Sequence, residues 1–258
     1  MGYLIVLVAL AVLFVITFNI SSRRGKHDLI DITWGLGMMV SSAVSWLVGD
    51  PTALTTTMTI LVLLWGGRLA LHLADRNLGA PEDKRYTAMR ARHPAGSSDL
   101  RIFARTYIVQ FVLNLLIAMP VIFSNLSSQP DWHLLAWIGL ALWIIGFVFQ
   151  AGGDWQLRSF KADAANKGKL LTTGLWSLTR HPNYFGESAM WWGIFLMAFN
   201  AWPQVWLVIS PLLITAALLK LSGVPLLEKQ YQGRADWDAY AARTSMFIPM
   251  PPKREDAR

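Results

Sequence analysis

The chain has 258 residues, of which 54% are hydrophobic and 15% charged, with 13 Trp and 12 Phe. Soluble domains carry about 25% charged residues, and a mean hydropathy of +0.38 is more apolar surface than a water-soluble core of this size hides, so the composition reads as an integral membrane protein. With 0 Cys and a formal net charge of +7, the chain excludes a disulfide framework, a thiolate metal site and a cysteine nucleophile; in an apolar chain the positive excess speaks to membrane orientation before nucleic acid.

Seven apolar stretches approach the roughly 20 helical residues that cross a hydrocarbon core: 2–20, 29–48, 53–74, 102–124, 134–155, 184–200 and 201–222. The expected fold is all-α, a single polytopic seven-helix membrane domain over residues 1–258. The first stretch lacks a basic start and a small-residue cleavage site, so it reads as a helix and not a signal peptide. The sixth is short. It meets the seventh at Asn200-Ala201-Trp202-Pro203, which reads as a tight helical hairpin.

Charge follows the same count. Arg23, Arg24 and Lys26 come after the first stretch, and Arg76, Lys84, Arg85, Arg90, Arg92 and Arg101 after the third. Arg158, Lys161, Lys167, Lys169 and Arg180 come after the fifth, and Lys229, Arg234, Arg243, Lys253, Arg254 and Arg258 after the seventh. The connections after the second, fourth and sixth hold no Lys or Arg. Positive residues stay on the cytoplasmic side, so seven spans predict an outside N-terminus and a cytoplasmic C-terminus. The polar pieces are then 75–101, 156–183 and the tail from 223, none large enough to fold alone as a nucleotide-binding domain.

The second stretch contains Asp31, followed by Thr33 and Trp34. A carboxylate inside an apolar run costs about 2.5–3.5 kcal/mol at the bilayer centre and less near an end, so it is expected to face the bundle or be protonated. The third stretch carries Trp65, Arg68 and His72. Arg68 and His72 stand at i, i+4 and could meet Asp31, either as a structural pair between helices or in a catalytic role. Trp34 and Arg68 are the expected substrate contacts.

Gln150, Asp154, Arg158 and Lys161 lie at i, i+4, i+8 and i+11, one helical stripe running from the apolar region outward. Lys167-Gly168-Lys169 and Thr172-Thr173-Gly174-Leu175-Trp176 follow. Lysines and hydroxyls of this kind can hold phosphate. Then comes Arg180-His181-Pro182-Asn183-Tyr184-Phe185-Gly186-Glu187. Pro182 suits a first helical position, and Asn183 and Glu187 share a face at i, i+4. Walker, dinucleotide GxGxxG, HExxH and GxSxG patterns are missing. The five His show no metal-ligand spacing, and no metal is expected.

R-H-P-N-Y-x-G-E ahead of a hydrophobic hairpin resembles the membrane reductases of the steroid 5-alpha-reductase type. Asp154-x-x-x-Arg158, the G-L-W approach and the late Tyr240 with Phe247-Ile248-Pro249 resemble them as well. The likeness is strongest over residues 150–249. It implies NADPH held by Gln150, Asp154, Arg158, Lys161, Lys169, Asn183 and Glu187, with Arg180, Tyr184, Tyr240 and Arg85 expected beside them. Lys161 and Lys169 stand where the family has Arg, which keeps the charge and loses the bidentate fork.

The resemblance further implies reduction of the C=C bond of a lipophilic enone drawn from the bilayer, a 3-oxo-Δ4 steroid in the type case. A donor must then face the carbonyl oxygen. By loop counting the family's second-helix Glu falls at or near Asp31, and its third-helix Tyr falls near Trp65, in a span that has no Tyr. Protonated Asp31 is the first candidate donor, because apolar surroundings disfavour the charged form; Trp65 is the second. Loops around 79–96 and 231–240 are expected to close over the nucleotide. R-H-P-x-Y-x-G also resembles isoprenylcysteine carboxyl methyltransferases, which use S-adenosylmethionine, and sterol C14-reductases share the architecture. Several cations suit a multiply anionic dinucleotide better than a sulfonium, which favours NADPH. The expected setting is a bacterial inner membrane, as a monomer, with no nucleic-acid partner.

Overall fold

The computed structural model describes residues 1–91, 101–127, 131–221 and 223–253. Expectations on Arg92, Gly96, Ser222, Arg254 and Arg258 lie outside the described residues. The described residues form helices and no strand. The helices are α1 (Gly2–Arg24), α2 (Leu29–Val48), α3 (Ala53–Asn77), α4 (Lys84–Ala91) and α5 (Ile108–Leu126), then α6 (Leu134–Ala162), α7 (Leu175–Leu178) and α8 (Pro182–Ala198). They end with α9 (Ile209–Ala216), α10 (Val224–Tyr231) and α11 (Ala235–Arg243). A π-helical turn, Phe103–Tyr107, leads into α5, and a 3₁₀ run, Trp202–Val208, leads into α9.

Five helical runs among the described residues are long and apolar enough to cross a membrane: Gly2–Arg24, Ala53–Asn77, Phe103–Leu126, Leu134–Ala162 and Trp202–Tyr231. Helices of this kind mark an integral membrane protein. The sequence predicts seven. Of the other two, α8 has only 17 residues. The apolar character of α2 is diluted by Asp31 and by buried Thr33, Ser41, Ser42 and Ser45.

The chain divides into two compact units. One comprises Met1–His133 with Ala198–Ser210, the other Leu134–Met197 with Pro211–Arg258. In the first unit α2 packs against α1, α3 and α5, which explains its polar residues. A helix surrounded by others needs small side chains for close approach and uses its hydroxyls between helices. A Cβ at Gly35 would lie 2.7 Å from the Gly66 carbonyl. Buried Asn125 of α5 donates to Ser45 Oγ at 3.0 Å and to Thr59 Oγ1 at 3.1 Å, joining α5 to α2 and α3.

The second unit is organised by glycines. Gly139, Gly146 and Gly153 recur every seven residues on α6, and Gly186 and Gly193 do so on α8. Seven residues are about two turns, so each set shares a face. A Cβ on Gly139 would lie 2.5 Å from the Gly193 carbonyl, and one on Gly146 would lie 2.6 Å from the Gly186 carbonyl. The reverse distances are 2.5 Å from Gly193 and 2.3 Å from Gly186. Backbone meets backbone along this seam, where no side chain can give way.

Gly146→Ala should therefore lower stability by about 1–3 kcal/mol, as overpacking does. Gly79→Ala, with no atom within 4 Å of the added methyl, should not. Thermal unfolding of both variants in mild detergent reads the difference.

Candidate functional site

The glycine seam sets the first feature of the site. With Gly146 against Gly186, Gln150 lies one turn further along α6 and Glu187 one residue further along α8. Gln150 Nε2 donates to Glu187 Oε2 at 3.0 Å. Gln150 is 2% exposed, and its Oε1 has no hydrogen-bond partner among the described residues. One turn on, where Gly153 meets Pro182, Asn183 Nδ2 donates to Asp154 Oδ1 at 3.1 Å. Four residues that the sequence places on two separate stripes thus become two amide–carboxylate pairs between α6 and α8.

The loop beyond α6 is fastened back to that helix. Leu175 N–H donates to Gln156 Oε1 at 3.0 Å, and the Trp176 indole donates to the Gly153 carbonyl at 3.1 Å. Gly174 takes φ +62°, where a Cβ would also lie 2.7 Å from Gln156 Nε2, so only glycine fits this turn.

Next to this loop is a cavity of about 100 Å³, walled in part by Lys161, Lys169, Trp176, Tyr231, Trp237 and Tyr240. Lys161 and Lys169 are exposed. Arg158, also exposed, precedes Lys161 on the α6 stripe. Gln150, Asp154, Asn183 and Glu187 are not among the lining residues. Sites for whole drug-sized ligands run to several hundred Å³, so this hollow takes a small group only. Tyr231 stacks on Trp237 with ring centroids 5.0 Å apart, giving a flat aromatic wall.

Two expected cofactor residues are occupied otherwise. Arg180 donates through Nε and Nη2 to Glu228 Oε1 at 2.9 and 2.7 Å, and through Nη1 to the Ala241 and Thr244 carbonyls at 3.1 and 2.7 Å. It ties the loop to the tail and does not present a spare guanidinium. Tyr240 is buried and donates its hydroxyl to the Trp176 carbonyl; burial pushes its phenol above the usual range. His181 Nε2 lies 3.3 Å from the same Glu228 oxygen. Burial holds His181 below the usual imidazole value, against the opposing pull of Glu228. Tyr184 is half-buried and stacks on the His181 ring.

The expected substrate residues lie in the first unit. Asp31 is not an isolated acid in apolar surroundings. Its Oδ2 accepts from Arg85 Nη2 at 3.0 Å, its Oδ1 accepts from the Tyr86 hydroxyl at 2.8 Å, and Arg76 stands 3.9 Å away. The partners are thus Arg76, Arg85 and Tyr86, in place of the expected Arg68 and His72. Arg85, expected on the cofactor, is held by Asp31 and by Asp83. Trp65 is fully buried, and Trp34 and Arg68 are half-buried. Burial, and then the Asp31 carboxylate, push the Tyr86 phenol far up. Sequence reasoning missed Tyr86 because it sought a tyrosine on the third span. It also missed Glu228 and His181. The only signal for Glu228 was a carboxylate among apolar residues at the start of the tail.

The same region is stitched by backbone contacts. Lys26 Nζ donates to the Asn77 and Ala80 carbonyls. His27 N–H donates to Glu82 Oε1 at 2.7 Å, and Asp83 N–H to Asp28 Oδ2 at 3.1 Å.

A family profile described as "Protein of unknown function (DUF1295)" matches residues 17–244. No curated protein matches the chain, and no solved structure does.

Removing the Arg180 contacts should cost about 1.5–3 kcal/mol, as for hydrogen bonds to charged groups. Arg180→Ala should both lower the unfolding temperature and expose the chain after residue 231 to protease. Glu228→Gln, which keeps the shape, should do so less. Limited proteolysis in detergent distinguishes this anchoring role from a purely ligand-binding one, which would leave cleavage unchanged.

Proposed function

The chain belongs to the DUF1295 family, and within it we propose an NADPH-dependent reductase that saturates the C=C bond of a lipophilic enone of the steroid or isoprenoid kind. The reading keeps seven spans, with the charged pieces and the cofactor site on the cytoplasmic side of a bacterial inner membrane. One observation carries it. Two amide–carboxylate pairs join α6 to α8, one of them buried and holding the unpartnered Gln150 Oε1, and α6 runs on to a cavity rimmed by Lys161 and Lys169 and walled by aromatic rings.

These donors and acceptors fit the cofactor's chemistry. Lys161, Lys169 and Arg158 would hold phosphate. Asn183, Glu187 and Gln150 would hold a carboxamide, which brings both N–H and carbonyl groups. NADPH, when bound, supplies a hydride. The protein supplies orientation and a dry setting. Arg180 and Tyr240 act here as positioning residues, fixing the loop and the tail that wall the cavity.

In the other unit the Tyr86 hydroxyl, which donates to Asp31 Oδ1 at 2.8 Å, turns from that carboxylate to a substrate carbonyl oxygen to offer its proton. Arg85 holds Asp31 in place. This supplies the tyrosine that the third span lacks and leaves Trp65 as packing.

A second reading, methyl transfer from S-adenosylmethionine, is favoured by the aromatic wall alone, because ring faces attract a cationic sulfur. The lysine rim opposes it.

The test is NADPH consumption by protein in mild detergent, with a panel of steroid and isoprenoid enones. Tyr86→Phe and Asp31→Asn should cut turnover by about 10²–10³, as loss of one donor at a developing oxyanion does, with NADPH affinity little changed. Asn183→Ala and Glu187→Ala should weaken NADPH binding. Lys161→Ala and Lys169→Ala should weaken it in a salt-dependent way. Tight S-adenosylmethionine binding with no NADPH consumption would reverse the choice.

A further inference from the structure

The tail after α11 is an irregular, bent segment whose exposure alternates. Met246, Ile248 and Met250 are exposed, Ile248 at 63%, while Phe247 and Pro249 are half-buried. Large apolar side chains are thus exposed at every second position from 246 to 250. The backbone is pinned. Arg180 N–H donates to the Ser245 carbonyl at 2.8 Å, the Thr179 hydroxyl to the Met246 carbonyl at 3.2 Å, and Met250 N–H to the Leu178 carbonyl at 2.9 Å. A fastened row of three large apolar side chains on the outside needs a covering medium.

Helix α6 supplies a depth scale. Its exposed face is apolar from Trp137 to Trp155, through Ile138, Ile144, Ile145 and Val148. The two tryptophans are about 27 Å apart along the helix, close to a hydrocarbon core of about 30 Å. Tryptophan favours the two membrane interfaces. Phe149 lies about 9 Å inside the Trp155 level. Its ring meets Phe185 at 5.1 Å, and Phe185 meets Phe247 at 6.1 Å. The tail is thereby held near the Trp155 interface and not out in the aqueous phase.

The end of the segment, from residue 249, suits that depth. An unpaired N–H is costly in lipid. From Pro249 to Lys253 there is none: Pro249, Pro251 and Pro252 lack the group, Met250 N–H bonds to Leu178, and Lys253 N–H bonds to the Arg243 carbonyl at 2.9 Å. Exposed Arg243 and Lys253 bracket the row, which matches headgroup phosphates.

We propose that residues 245–250 form a bilayer-seated strap, with Met246, Ile248 and Met250 turned into the acyl chains and Arg243 and Lys253 at the headgroups. The occupant of this face is lipid, not a protein partner. The strap is independent of the cofactor's identity, since it rests on backbone pinning and depth.

The chain has 0 Cys, so a single introduced thiol carries a probe without background. Nitroxide labels on Met246→Cys, Ile248→Cys and Met250→Cys, in the full chain in nanodiscs of phosphatidylcholine and phosphatidylglycerol, report collisions with oxygen and with a water-soluble nickel chelate. The expected oxygen-to-nickel ratio is several-fold above that of the same label on Gly79→Cys and below that on Ile145→Cys, which lies midway between the two interfacial tryptophans. Nickel access equal to that at position 79 would overturn the proposal. So would labels shielded from both reagents, which would mean that protein covers the row.

Discussion

Helix α6 touches helix α8 through glycine, and the remaining geometry of the second unit follows from that contact. A Cβ on Gly186 would lie 2.5 Å from the Gln150 backbone nitrogen, so any larger residue there would push the helices apart. Gln150 would then not reach Glu187, nor Asn183 reach Asp154. Without hydrophobic driving force between helices in lipid, van der Waals contact and interhelical hydrogen bonds hold them. Here the glycines provide the first and bring the polar pairs into range for the second. The α7 turn is registered to the same helix through Gln156 and the Gly153 carbonyl, so the walls of the cavity inherit the seam's precision.

Each unit also contains one charged knot with the same logic. In the first, Asp31 gathers Arg85, Arg76 and the Tyr86 hydroxyl. In the second, Glu228 gathers Arg180 and His181. A carboxylate next to apolar helices is tolerated when paired, and each knot joins segments about fifty residues apart. The consequence is a division of labour. Arg180 and Arg85 serve architecture, while Lys161 and Lys169 at the cavity rim keep their heads in solvent.

The amphipathic and apolar helices were legible because periodicity and length are local properties. So were the stripe from Gln150 to Lys161 and the i, i+4 pair of Asn183 and Glu187, since both need only helical geometry. The heptad of glycines at 139, 146 and 153, with 186 and 193, was equally visible and went unread, because glycine spacing signals contact only once the facing helix is known. The partners of Asp31 were not legible. Tyr86 lies 55 residues on, in a short helix after an irregular loop, and no local rule brings it back. The Glu228 partner of Arg180 was not legible for the same reason: that carboxylate is 48 residues away. α2 was read as a span on apolar length, yet its serines and Asp31 reflect a helix enclosed by neighbours, a fact of packing that composition blurs.

The stitching of Lys26, His27 and Asp28 to residues 77–83 has a consequence for how the chain is made. A ribosome releases the α1–α2 turn some fifty residues before its acceptors. Until residue 83 emerges, the ammonium of Lys26 and the carboxylate of Asp28 have only each other and water. These contacts therefore close only once α3 is complete, and a chain halted before them would leave α1 and α2 joined by an open, hydrated elbow.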